Sequence, residues 1–282
     1  MSVTLGEALS RAVGYLRERA VREARRDAEL LVCRAVGVDR TRLYSHPETP
    51  LAPAQLRRLQ EDLERRGTGY PLQYLLGIQE FYGREFIVSE AVLIPRPETE
   101  VVVELALELL ASTPAPAVLD VGTGSGCIAV TIACERPDSQ VTATDVSGEA
   151  LEVAAENARR LGAGPRVRLV RGNLLEPVRA EGFDLVVSNP PYVAEADPRV
   201  AADVRRWEPK LAVFAGKTGL ELHQRLLAEA DTVLRSGGFL VLEAGQGQVP
   251  AIEQAASTAG WELSQVREDL AGIPRAVAFQ RR

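Results

Sequence analysis

From Ala117 onward, short apolar runs alternate with stretches whose apolar residues recur at helical spacing, and this alternation most restricts what the chain can fold into. Strands are expected near 117–121, 140–145, 166–171, 183–188 and 238–243, and helices near 125–135, 148–161, 219–235 and 248–260. Strands that read as unbroken apolar runs are buried on both faces, which in a strand–helix alternation means a parallel sheet with helices on either side. Residues 263–268 and 276–280 add a closing antiparallel pair, making seven strands in a doubly wound, Rossmann-like α/β sheet. Such sheets bind ligands beyond the carboxyl ends of their strands.

One of those ends is sharply defined. The run Phe183-Asp184-Leu185-Val186-Val187-Ser188 stops at Asn189-Pro190-Pro191-Tyr192. Proline cannot donate to a sheet ladder, and it pushes the preceding residue toward extended geometry. Asn189 is therefore held at the strand lip, where its side chain offers one acceptor and two donors. With the carbonyls around the prolines, it suits a planar group that has two hydrogens to give. A polar strand exit with a rigid turn is the bland reading of Asn-Pro alone. The full Asn-Pro-Pro-Tyr after an apolar strand favours function.

A second strand end carries glycines. Val118-Leu119-Asp120-Val121 leads into Gly122-Thr123-Gly124-Ser125-Gly126-Cys127. A dinucleotide fingerprint would need glycine where Cys127 stands, and a P-loop would need a lysine that this loop lacks. The remaining Gly-x-Gly-x-Gly suits a nucleoside ligand without a pyrophosphate, such as S-adenosylmethionine. Asp145 closes the next strand nineteen residues beyond Gly126, where an acid can accept from both ribose hydroxyls. Asn173 follows the third strand, where an adenine edge would lie. Asp120 either faces the amino-acid part of such a ligand or braces the loop.

The first 80 residues read differently. Thr4 with Glu7 forms a capping-box pattern ahead of a helical repeat, a second helix spans about 21–36, a short third follows Asp39, and a fourth starts near Pro53. This small bundle shows no chemical group, and packing or gripping a partner is its expected role. Ile78–Tyr82 and Glu85–Val88 flank Gly83-Arg84 as a hairpin, and 92–100 reads as a plain connector into a helix. The boundaries expected are 1–76 for the bundle, 77–95 for the hairpin linker and 96–282 for the sheet domain.

Composition narrows the partners. Residues 1–80 hold 13 arginines against 11 acids, whereas the rest holds 20 basic and 28 acidic residues, so bulk attraction to nucleic acid is not expected. No apolar run is long enough to span a bilayer and no signal-peptide pattern opens the chain. Cys33, Cys127 and Cys134 are odd in number and widely spaced, as reduced thiols in a cytoplasmic protein would be. The two histidines, His46 and His223, lie far apart, so no metal site is expected.

The glycine loop, Asp145 and Asn-Pro-Pro-Tyr at successive strand ends resemble class I S-adenosylmethionine-dependent methyltransferases. Within that group the chain resembles the peptide chain release factor glutamine N(5)-methyltransferase family. The more specific marks are Gly77–Val88, the segment Leu93-Ile94-Pro95-Arg96-Pro97-Glu98-Thr99-Glu100, and Trp207-Glu208-Pro209-Lys210-Leu211-Ala212. The resemblance implies a helical N-terminal domain for partner recognition, a hairpin linker and a methyltransferase domain. It implies a monomer that methylates the glutamine of a Gly-Gly-Gln tripeptide in class 1 translation release factors, with S-adenosylhomocysteine as product. Gly122, Thr123, Gly124, Ser125 and Gly126 would face the methionine portion, Asp145 the ribose and Asn173 the adenine. Asn189 would lie beside the cofactor, and Asn189, Pro190, Pro191 and Tyr192 would hold the substrate amide, with Asn189 and the Pro190 carbonyl acting in catalysis. Asn173 departs from the acid that many relatives carry.

Other readings remain at this stage. A ribosomal protein glutamine would suit the same motif. An adenine amino group in nucleic acid is also a planar NH2 donor, although it would require base extraction and a basic strand path. A cofactor-binding adaptor without catalysis would have no use for an amide-orienting lip.

Overall fold

A computed structural model describes residues 3–281, which divide into two compact units, the first running to Ile78 and the second starting at Gln79. The first unit contains α1 (Leu5–Glu18), α2 (Ala24–Val36), α3 (Arg40–Ser45), α4 (Pro53–Gly67) and α5 (Leu72–Leu76). Thr4 caps α1 reciprocally with Glu7, and Asp39 caps α3 through the Arg42 amide at 2.7 Å. The second helix begins three residues later than the apolar pattern suggests. Ala20 takes a left-handed conformation (φ 56°) as α1 closes, and the Val21 amide bonds back to the Leu16 carbonyl at 3.0 Å. Leu5, Ala12, Leu16, Leu31, Val32 and Leu59 form the core. Three buried acids among these helices are paired, Asp27 with Arg66 at 2.7 Å, Glu29 with Arg40 at 2.6 Å and Asp62 with Arg34 at 2.5 Å. Without those partners their burial would be strongly unfavourable.

Strands β1 (Ile78–Phe81) and β2 (Arg84–Ile87) form a hairpin whose loop is Tyr82-Gly83, one residue earlier than the sequence pattern places it. Both loop residues have positive φ (53° and 68°), as a type I′ turn requires, so the single glycine must take the second position. Next come α6 (Glu100–Leu109), entered through a 3₁₀ turn at Pro97–Thr99, then β3 (Ala117–Val121), α7 (Cys127–Glu135), β4 (Gln140–Asp145), α8 (Gly148–Arg160), β5 (Val167–Arg171) and β6 (Phe183–Ser188). The remainder is α9 (Ala202–Trp207), α10 (Lys210–Val213), α11 (Glu221–Glu229), β7 (Leu234–Glu243), α12 (Val249–Thr258), β8 (Trp261–Glu268) and β9 (Pro274–Arg281).

The seven-stranded sheet has the order β5-β4-β3-β6-β7-β9-β8, parallel except for β9, which runs antiparallel to both neighbours. Its order reverses between β3 and β6, the switch point at which a crevice opens. Helices α6, α7 and α8 supply one core and α11 and α12 the other. Two elements differ from the sequence expectation. Helix α11 stops at Glu229 rather than 235, and β7 begins at Leu234 rather than 238. Leu234 pairs with Phe183, then the register jumps so that Phe239 pairs with Leu185. The intervening Arg235-Ser236-Gly237-Gly238 looks like a turn in sequence and is an irregularity within one strand. The short α9 and α10 carry too few turns to show a period and were not expected.

Candidate active site

Register brings four residues to one level. Thr144 pairs with Val121, Val187 with Asp120, and Leu242 with Ser188. The next residues along these strands, Asp145, Gly122, Asn189 and Glu243, therefore emerge together at the carboxyl edge. Alternation then sorts their side chains. Val118 and Asp120 share a parity, as do Leu185, Val187 and Asn189, and as do Val241 and Glu243. Their apolar members all pack in the core formed with α6 and α7. Asp120, Asn189 and Glu243 thus point to the same side of the sheet, beneath the entry to α6.

A cavity of about 690 Å³ opens along this edge. Gly122, Thr123, Gly124 and Ser125 line it with Asp145, Asn173, Thr99, Asn189 and Pro191; Val92, Leu93, Ile128 and Phe214 add apolar walls, and the largely exposed Leu211 stands at the rim. Gly126, Pro190 and Tyr192 are not part of this lining. Gly122 and Gly124 have left-handed backbones (φ 73° and 55°), and a Cβ on either would meet nothing within 4 Å. This open space in front of bare backbone is what a ligand needs for close approach. Gly126 serves packing instead, since a Cβ there would lie 3.1 Å from that of Ala154 on α8.

The two acids of the loop have separate tasks. Asp145 receives the Gly124 amide on Oδ2 and the Ser147 amide on Oδ1, both at 2.9 Å, and it borders the cavity. Its remaining lone pairs can accept from hydroxyls. Asp120 is buried and braces the loop: its Oδ2 accepts from the Thr123 hydroxyl at 2.6 Å and from the Ala129 amide at 3.2 Å. Burial pushes its carboxyl up to about 7, partly offset by those two donors. The buried Asn157 ties the hairpin to the loop by donating to the Ile87 and Ser125 carbonyls at 3.0 and 2.9 Å.

At the second lip, Asn189 Nδ2 donates to Thr99 Oγ1 at 3.1 Å. The carboxamide oxygen accepts no hydrogen bond from the described residues. Asn173 shows the same arrangement, its Nδ2 held by Glu176 at 3.2 Å. The Tyr192 hydroxyl donates to Glu243 Oε1 at 3.1 Å, and its carbonyl accepts from Gln248 at 2.8 Å. A Cβ on Gly219 would lie 2.5 Å from that carbonyl, so only glycine lets the chain pass so close. The Pro190 carbonyl accepts no hydrogen bond from the described residues. Glu243 is buried, which pushes its carboxyl up to about 7 against the effects of Thr99, Tyr192 and Arg275.

Sequence reading missed the group that encloses this lip. Residues 92–100 are more than a connector. The Arg96 guanidinium pairs with the buried Glu208 carboxylate, which also accepts from the Ile94 amide at 3.2 Å. Two segments 112 residues apart in the chain are clasped beside the cavity in this way. Both segments carry the family resemblance, and the prolines flanking Arg96 and following Glu208 are the physical signal in the sequence. An acid closing the apolar run Phe239–Leu242 was the signal for Glu243. Among the described residues there is no cluster of metal-ligating side chains, and no helix is long and apolar enough to cross a membrane.

Comparison with known proteins is consistent over the whole length. The family model for the PrmC N-terminal domain matches residues 7–77, and that for the methyltransferase small domain matches residues 98–205. A release factor glutamine methyltransferase from Moorella thermoacetica is 45% identical over 282 residues, covering 99% of each chain. One from Koribacter versatilis is 42% identical over 277 residues, covering 98% of each. Among solved structures, a methyltransferase from Pyrococcus furiosus aligns with a TM-score of 0.51 at 21% identity, over 71% of this chain and 89% of the other. The hMettl16 catalytic domain, solved with a MAT2A 3'UTR hairpin, aligns at 0.58 and 18% identity, over 78% and 82%. These two establish likeness of fold.

Proposed function

The chain belongs to the release factor glutamine methyltransferase family, and on that premise we propose how it transfers a methyl group from S-adenosylmethionine to the side-chain amide nitrogen of a Gly-Gly-Gln glutamine in class 1 translation release factors. The observation that carries this reading is the Asn189 carboxamide, which lines the same cavity as Gly124 and Asp145 with its NH2 tied back and its oxygen left to accept. The backbone from Gly122 to Ser125 would hold the methionine portion of the cofactor, Asp145 the ribose hydroxyls and Asn173 Oδ1 the adenine amino group. When bound, S-adenosylmethionine supplies a methyl carbon that its sulfonium already makes electrophilic.

An amide nitrogen is a weak nucleophile because its lone pair is delocalised into the carbonyl. Asn189 Oδ1 accepts one hydrogen of the substrate amide and the Pro190 carbonyl accepts the other. The nitrogen is then turned toward the methyl donor, and its loss of planarity would be favoured as the nitrogen–methyl bond forms and the methyl–sulfur bond breaks. The methylated nitrogen, acidic at that point, would give one of its two hydrogens to solvent as a proton, with S-adenosylhomocysteine as the other product. Positioning of this kind contributes ~7–11 kcal/mol. The rigid Pro190-Pro191 turn, anchored by Tyr192 on Glu243 and Gln248, keeps both acceptors in place. The helical first unit is assigned to recognising the release factor.

The test is to incubate the full chain with methyl-labelled cofactor and, separately, release factor, ribosomal protein and DNA. Label on the glutamine of the release factor supports the reading. Label confined to ribosomal protein or to DNA, or found on none of them, overturns it.

A further inference from the structure

Residues 209–216 supply one wall of the cavity, and that wall is held at both ends. At its start the buried Glu208 accepts from the Arg96 guanidinium and from the Ile94 amide at 3.2 Å. At its end Phe214 bridges in parallel to Val193, the residue after the Asn-Pro-Pro-Tyr turn. The Val193 amide donates to the Val213 carbonyl at 3.2 Å, and the Ala215 amide donates to the Val193 carbonyl at 2.9 Å. Both anchors belong to segments that build the Asn189 lip. The Arg96 carbonyl accepts from the Thr99 amide at 3.0 Å, and Thr99 in turn holds the Asn189 side chain. Between the anchors, α10 buries Val213 and leaves Leu211 77% exposed. A lone leucine on a surface needs no explanation, because much of any folded surface is apolar. Leu211 is not alone, since it lines the cavity together with Leu93, Pro95, Pro191 and Phe214. Its backbone is already fixed, so contact with a partner there costs little further ordering.

We propose that Leu211 packs on the release factor segment that carries the target glutamine, and that Arg96 and Glu208 are positioning residues that hold Leu211 at the cavity mouth. The inference rests on the release factor reading given above and adds a contact outside both the Asn-Pro-Pro-Tyr turn and the glycine loop. The occupant is the Gly-Gly-Gln segment. Its glycines carry no side chain, so its main chain can lie directly against an apolar wall while the glutamine side chain reaches Asn189. The cofactor is assigned to other residues, Gly122 to Ser125, Asp145 and Asn173, at the ends of other strands. Affinity for the release factor should therefore separate from affinity for the cofactor.

The experiment measures kcat and KM for release factor at saturating S-adenosylmethionine with the full-length chain, and cofactor affinity by calorimetry. Wild type, Leu211→Ser, Arg96→Met, Arg96→Lys, the Leu211→Ser/Arg96→Met double variant and Leu270→Ser are compared, each with its melting temperature. Leu270 is fully exposed in the turn between β8 and β9 and controls for the loss of any surface leucine. Leu211→Ser should raise KM for release factor about fivefold or more, with kcat and cofactor affinity changed less than twofold. Arg96→Met should raise the same KM to a similar extent, and Arg96→Lys, which keeps a cation, should return it to within threefold of wild type. The double variant should exceed the poorer single variant by less than twofold, as residues acting through one contact do. A KM within twofold of wild type in Leu211→Ser, an equal rise in Leu270→Ser, or an equal loss of cofactor affinity overturns the contact. Single effects that multiply in full in the double variant overturn the role given to the clasp. Should Arg96→Met fail to fold, Glu208→Gln, which keeps the shape and removes the charge, takes its place. A wild type that labels release factor beside an unaffected Leu211→Ser would sink this inference and leave the proposed function standing, whereas no label on release factor would sink both.

Discussion

The two lips of the cavity solve the same problem by opposite means. After β3 the chain removes side chains: Gly122 and Gly124 expose bare backbone in left-handed conformations, and the nearby acids hold the loop in shape. After β6 it fixes one side chain: two prolines set the backbone, and Thr99 takes the Asn189 NH2 so that only the oxygen is offered. The first lip is suited to a large ligand that must come close to the main chain. The second is suited to a small planar group that must be turned to one orientation. Substitutions at the two lips should therefore fail in different kinetic terms.

The largest effect is expected at the second lip. Asn189→Ala should lower kcat by roughly 10²–10³, about 3–4 kcal/mol, while calorimetric affinity for the cofactor changes by less than threefold. A proportionate loss of cofactor affinity would erase the contrast between the lips.

Next comes the brace under the glycine loop. Asp120 binds its proton more tightly in the folded chain, where its carboxyl lies at about 7, than in the unfolded one, near 3.8. Its neutral form is favoured by folding, so this residue's contribution to stability is full below pH 3.8 and is lost as pH rises through 7. Asp120→Asn removes the buried charge and should be more stable than wild type at pH 8 by roughly 2–3 kcal/mol. The difference should shrink toward pH 5 in thermal melts. An advantage independent of pH would mean that Asp120 is not the group titrating.

Backbone freedom at the first lip ranks third. Gly124→Ala forces a Cβ onto φ 55° and into the space left for a ligand. The strain costs roughly 1–2 kcal/mol, so cofactor affinity should weaken about tenfold or somewhat more, with kcat at saturation largely kept. A tight-binding Gly124→Ala would show that the bare backbone is not approached.

The smallest effect is expected at Asp145→Asn, which exchanges charge-assisted hydrogen bonds for neutral ones at a difference of about 1 kcal/mol. A roughly fivefold loss in cofactor affinity by titration is predicted. An unchanged value would separate Asp145 from the ligand and leave it as a support for Gly124 and Ser147.

Both lips were readable in the sequence because each depends on residues with unusual backbones. Glycine and proline mark the turns at both lips, Asp145 closes a strand in which Val141 and Ala143 alternate with threonines, and Asn189 closes an apolar one. The loop spacing also excluded the pyrophosphate fingerprint without any coordinates. What was less readable followed a different rule. The hairpin loop slipped by one residue because type I′ geometry needs two left-handed residues and only one glycine was present to mark them. The start of β7 was hidden by Gly237-Gly238, which break the apolar run without ending the strand. Arg96 and Glu208 lie far apart in the chain, and nothing in either segment says that one neutralises the other.

The sequence alone determined the alternation of strands and helices, the points at which the parallel strands end, and the residue types presented there, because these follow from local backbone chemistry and from burial on both faces. Only the tertiary structure decided which acid braces and which faces the cavity, and which atom of Asn189 is left to accept. Those choices depend on strand register and on groups of distant segments meeting, as the Asn189 amide meets the Thr99 hydroxyl. A hydrogen bond has a direction, and that direction is set by partners that the chain brings together only when it folds.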